Sequence, residues 1–193
     1  MRKIISFDLS DSGIKKAQSE LNNIISKIKN EVNAEFISLS LDWVKNRAIE
    51  YLNNSGLGSA IIAELQASFV KTVTGNVGTL VVDHEKGAYI EFGVGAKGGQ
   101  TPHPEASELG WEYDVDSPYK SPLSRRWVFA LDENEALDIK YEDVTQISKT
   151  NKVYSTQGSQ GTLFMYNAIM DYATDISTVA AIYNKALTRV IGG

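Results

Sequence analysis

The chain has 193 residues, 42% of them hydrophobic and 22% charged, enough to bury one ordinary core and short for two. Its 24 acidic residues outweigh 19 basic ones for a net charge of −5, which excludes the uniformly basic surface of a stand-alone DNA binder. The absence of cysteine excludes disulfides, zinc–thiolate sites and thiol catalysis.

In chain order, Met1 to Asp8 starts like a signal peptide, but Asp8, Asp11 and the pair Lys15, Lys16 interrupt it before an apolar segment forms. No apolar run approaches the roughly 20 residues that cross a bilayer, so the expectation is a soluble protein made in a cytoplasm. Ile14, Ala17, Leu21, Ile24, Ile28 and Val32 recur at spacings of three and four, the signature of one helix face. Ser10 or Asp11 offers a side-chain oxygen to cap its start. A second such face runs through Ile37, Leu41, Val44, Ala48 and Leu52 and stops at Asn53, Asn54, Ser55 and Gly56. A polar patch from Asn30 to Glu35 separates the two, which predicts one long bent helix or two in series.

Residues 59–65 predict a short helical turn. Residues 67–74 and 79–83 are rich in β-branched side chains and flank Gly75, Asn76, Val77 and Gly78, the pattern of a β-hairpin. Another turn at His84–Gly87 leads into Ala88-Tyr89-Ile90-Glu91-Phe92-Gly93. Tyr89, Ile90 and Phe92 supply an apolar wedge where sheet meets helices. Glu91, between them, either faces solvent or is paired, because an unpaired buried carboxylate is costly. On a plainer reading the stretch is a turn of helix with a glycine-rich exit.

Residues 97–160 hold all four prolines, two of the three tryptophans, and eleven acidic residues against seven basic ones, about −4 of the total charge. This tract reads as a loop-rich inserted arm with a few strands, among them 127–131 and 152–155. Trp111, Tyr113 and Trp127 are its candidate interface aromatics. Helices return at 162–172 and, behind an Asp175 cap, along Ile176, Val179, Tyr183, Leu187 and Val190 to Gly192. Tyr166, Tyr172 and Tyr183 suit either core or interface. Each apolar stripe reads as the inward face of a one-domain core.

Gly93, Gly95 and Gly98 match the dinucleotide fingerprint, but that chemistry needs a helix after the glycines, and Gly99-Gln100-Thr101-Pro102-His103-Pro104 cannot open one. The reading is a flexible glycine linker. His84 and His103 lack partners at helical ligand spacing, and Asp83-His84-Glu85 reads as a solvated turn, so no metal or cofactor is expected. No serine sits in a nucleophile elbow, and Gly158-Ser159-Gln160-Gly161 reads as a loop into a helix. The carboxylates Asp132, Glu133, Glu135, Asp138, Glu142 and Asp143, with Trp111, Tyr113, Tyr119 and Trp127, leave a carbohydrate- or peptide-processing enzyme open as the alternative. A monomeric adaptor is the other.

This order of elements, with Ala88–Gly95 after a hairpin and Gly161-Thr162-Leu163-Phe164-Met165-Tyr166-Asn167-Ala168 entering the last helices, resembles the phage tail-completion (head–tail joining) family. The resemblance covers roughly residues 10–95 and 161–191. Val94 stands where that family often has threonine, and no proline precedes Phe164. The resemblance implies an α+β fold, with a long N-terminal helix and C-terminal helices on a small, mostly antiparallel sheet. It also implies a single domain over 1–193 interrupted by the 97–160 arm. Functionally it implies a non-enzymatic virion protein, assembled in the host cytoplasm into a ring, usually of six subunits. Its partners there are the tail tube and neck proteins, and DNA passes through the lumen without specific binding. The signature residues would be Tyr89, Ile90, Glu91, Phe92 and Gly93, with no catalytic residue.

Overall fold

The computed structural model describes residues 10–113, 127–130, 145–148, 153–156 and 158–192. Tyr119 and the carboxylates at 132, 133, 135, 138, 142 and 143 lie outside them. The fold is α+β, and by contacts the chain divides into two compact units. The first comprises residues 1–46, 70–81 and 169–193, the second 47–69 and 82–168.

Helix α1 spans Asp11–Lys27, and of the two candidate caps Ser10 takes the role, its side chain accepting from the Gly13 amide at 3.2 Å. Where the sequence turns polar, the chain does not break. Instead Ile28–Val32 form a π-turn, and α2 continues over Asn33–Asn54. The stop is the expected one, with Gly56 at φ +77°. Helix α3 follows over Ser59–Ala67. Strands β1 (Phe69–Thr74) and β2 (Val77–Val82) close around Gly75 and Asn76, a tighter turn than four residues. Gly75 at φ +59° supplies the left-handed backbone this turn requires.

In the first unit the hairpin lies on α2. A Cβ at Gly78 would stand 2.2 Å from Ile37 Cγ2, so only glycine fits there, and Lys71 pairs with Asp42 at 2.6 Å. The last helix, α7 (Ile176–Ile191), packs against the π-turn, burying Val32 and Ala186 completely. Asp175 caps it as expected: Ser177 Oγ donates to its carboxylate at 2.6 Å, as do the Thr178 hydroxyl (2.6 Å) and amide (3.0 Å). These bonds hold the Asp175 carboxyl down from 3.8 to about 2, the Ser177 bond contributing most.

The apolar stripes of α1 and α7 are only partly the inward faces expected of them: Ala17, Ile24 and Ile28, and Val179, Leu187 and Val190, are partly buried, and Tyr183 meets Phe36 edge-on at 5.6 Å. No residue of α1 is fully buried: Ile14, Leu21 and Ile25 are 39%, 50% and 41% exposed. On α7 only Ala186 is fully buried, and Ile176 stands out in solvent. The physical reason is that α7 packs mainly on the π-turn and touches α1 only in part.

The second unit buries Ala48, Leu52, Ile61, Leu65, Phe69, Ile90, Val94, Phe164 and Ala168, with Phe69 and Phe164 edge to face at 6.4 Å. After the hairpin come α4 (Gly87–Phe92), β3 (Gly93–Val94) and the single turn α5 (Gly95–Gly98). Strands β4 (Trp127–Ala130), β5 (Thr145–Ser148) and β6 (Val153–Thr156) form a three-stranded antiparallel sheet in the order β4-β6-β5, irregular between Gln146 and Ser148. β7 (Ser159–Gln160) pairs antiparallel with β3, and α6 covers Phe164–Thr174. The strands thus form three small sheets. No helix among the described residues is long and apolar enough to cross a membrane.

Candidate functional site: a buried carboxylate–imidazole centre

The Ala88–Gly93 stretch is the plainer of its two readings, a turn of helix. Within α4 its residues separate. Ile90 goes into the core, Phe92 is half-buried, and Tyr89 is half exposed. Of the two fates open to Glu91, the structure takes burial with partners: Glu91 and His103 are only 7% and 4% exposed.

The reason lies at the start of α6. Its first turn has orphan amides, and the residue before it, Leu163, has no side-chain acceptor to cap them. Leu163 also holds φ +55°, an uncommon conformation for a branched side chain. Glu91 supplies the missing cap from across the unit. Met165 N donates to Oε2 at 2.9 Å and Tyr166 N to Oε1 at 2.9 Å, the second and third positions of the helix. The negative charge also sits at the positive end of the helix dipole. Main-chain bonds reinforce the joint: Thr162 N donates to Ile90 O at 2.8 Å and Leu163 N to Glu91 O at 3.2 Å.

His103 is the third donor to this carboxylate, with Nε2 at 3.2 Å from Oε1. Its tautomer is fixed by the other nitrogen, because Nδ1 accepts from the Glu105 amide at 3.1 Å and so leaves the hydrogen on Nε2. Its own amide donates to Tyr113 Oη at 2.6 Å. Phe92 lies over the imidazole with centroids 4.3 Å apart, and Tyr166 meets it edge-on at 5.1 Å. Trp111 stacks on the outer face of Phe92 at 5.0 Å and meets Tyr89 at 5.5 Å. The Trp111 indole nitrogen is buried with no hydrogen-bond partner among the described residues.

Two expectations change here. The glycines after Phe92 are no flexible linker: Gly93 (φ +80°) begins β3, and a Cβ there would lie 2.4 Å from Gly161 N. Gly158 (φ +98°) would drive a Cβ to 2.0 Å from Val94 O, and Gly161 to 2.3 Å from Glu91 O. The residues 158–161, read as a loop, instead include the β-strand partner of the signature. As expected, Gly99 to Pro104 open no helix; the single turn α5 lies among the glycines and ends at Gly98. No long helix faces a phosphate there.

Of the predicted residues, Tyr89, Ile90, Glu91, Phe92 and Gly93 therefore belong to one junction, and Trp111 and Tyr113 join it. Trp127 lies on β4, its backbone opposite Thr156. His103, Gly158, Gly161 and Leu163 were missed as members. One signal was available: a helix entered through Gly161, Thr162 and Leu163 has no good cap next to Phe164, so its acceptor must come from elsewhere. His84 stays in its turn, Nε2 at 3.3 Å from Glu64 and Nδ1 accepting from the Lys86 amide. Among the described residues no three His, Cys, Asp or Glu side chains converge to hold a metal ion.

Chemically, the centre holds a shape. Both oxygens of Glu91 are occupied by fixed donors, and the imidazole is bonded at both nitrogens. No protein-family model, curated protein or solved structure matches the chain.

Proposed function

We propose that this chain is a phage virion structural protein, a tail-completion subunit that assembles into a ring at the tail–neck junction. One observation carries the reading. The two stretches that bear the resemblance, 88–95 and 161–168, are some seventy positions apart yet hydrogen-bonded into one junction through Glu91 and Ile90. A fold organised around that joint is what a shared ancestry of the two stretches would preserve.

The exposed apolar residues of the first unit suit a subunit that assembles. Val70, Val77 and Val81 on the hairpin are exposed, as are Ile14, Leu21 and Ile25 on α1 and Ile176 on α7. In this reading the ring is a homo-oligomer, usually of six, that ends tube growth and faces the neck proteins. The part of the 97–160 tract outside the junction reaches a neighbouring subunit or the tube. The acidic balance keeps DNA from adhering to the wall as it passes.

Light scattering of the purified chain over a range of concentrations, alone and with tail tubes, tests the proposal. A discrete species near six times the 21.2 kDa subunit supports it. Mass that stays at one or two subunits throughout, with no binding to tubes, rejects it.

A further inference from the structure

We infer that α1 is a second, separate contact surface, one that pairs antiparallel with α1 of another copy of this chain. Ile14, Ala17, Leu21, Ile24 and Ile28 step by three, four, three and four, the heptad spacing of a seam that another helix fills. No residue of α1 is fully buried: Ile14 and Leu21 stand exposed on this seam, while Ala17, Ile24 and Ile28 are partly covered. The spacing names the occupant as a helix, and the charges beside it name which one.

Glu20 and Lys27 flank the seam on the same side, one heptad apart, and neither has an ion-pair partner among the described residues. In an antiparallel pair, such flanking positions face their own kind across the seam. Setting Leu21 opposite Ile24 of the second copy places Glu20 opposite Lys27 of that copy, and the two-fold axis repeats both contacts. Ala17 then faces Ile28 of the second copy, small against large. Sliding the helices by one heptad brings Glu20 against Glu20, and running them parallel brings Glu20 against Ile25. Only one arrangement closes both the seam and the charges.

A strip roughly 25 Å long and about one helix wide falls short of a standard stable interface, so the pairing is weak and concentration-dependent. Such a contact is isologous and does not generate a cyclic ring, so it stands whether or not the tail-completion reading does.

The chain has no cysteine, which makes cross-linking clean. Leu21→Cys and Ile24→Cys are made separately, with circular dichroism showing that each folds. After mild oxidation at high concentration, a mixture of the two is expected to yield several-fold more disulfide dimer than either alone. Cross-linking of Leu21→Cys alone at the level of the mixture overturns the antiparallel register, and no cross-link in any arm overturns the contact. In the mixed pair, Glu20→Lys on both chains is expected to cut the yield several-fold, and adding Lys27→Glu to restore it. A charge-swapped pair that stays as weak as Glu20→Lys overturns the assignment of the charges.

Discussion

The junction at Glu91 and the helix α1 use similar residues to opposite ends. In the second unit a single carboxylate is surrounded by three donors, roofed by Phe92 and locked by glycines that admit no side chain. In the first, a helix with as regular an apolar stripe as any in the chain leaves Ile14 and Leu21 exposed and buries none of its residues fully. Pattern alone does not tell them apart: what differs is whether the chain brings a complement. The junction finds its complement within the chain, and α1 waits for one from outside.

The largest effect is expected from breaking the junction. Glu91→Ala orphans two partly buried amides and the buried His103 hydrogen, and a destabilisation of about 3–5 kcal/mol should follow, read from the urea midpoint. At this chain length that corresponds to a melting temperature lower by roughly 6–20 °C. Glu91→Gln, which keeps an acceptor, should lose less. If Glu91→Ala unfolds at the wild-type midpoint, the carboxylate is not the cap of α6.

Next in size comes Gly158→Ala. The left-handed backbone and the approach to Val94 O together should destabilise by at least about 2 kcal/mol in the same titration. An unchanged midpoint would mean that the segment is as loose as a glycine linker.

A smaller, pH-specific effect belongs to Asp175. Its folded pKa, about 2, lies below the ordinary 3.8, so its contribution is fully present above about pH 4 and is lost as the pH falls toward 2. Asp175→Ala should remove that part of the acid dependence, leaving a flatter stability curve over this window. A curve of wild-type shape would contradict the capping role.

The smallest effect is expected on α1. Leu21→Gln should change the folding stability of the dilute chain by no more than about 0.5 kcal/mol, because the side chain is half exposed already. A loss as large as that at Glu91 would erase the contrast between the two regions.

Much of this was legible in the residues. The three- and four-residue spacings gave α1, α2 and α7, and the short polar side chains of Ser10 and Asp175 marked two helix starts correctly, because both are local effects. The hairpin followed from β-branched runs around Gly75. Glu91 could be narrowed to two fates because burial of a lone charge is so costly. Its partner was out of reach, since His103 lies twelve positions on, past the irregular residues Gly99 to Pro102. The glycines misled for a similar reason: a glycine that makes a linker and one that admits a neighbouring backbone read alike, and only the approach of Gly158 and Gly161 separates them. The π-turn was visible merely as a polar patch, and whether an apolar stripe is covered is not encoded in the stripe.

The most direct test of the central claim is electron microscopy of the purified protein mixed with phage tail tubes. Closed rings of subunits seated on one end of each tube are the predicted result. Tubes whose ends remain bare, among particles that never close into rings, would contradict it.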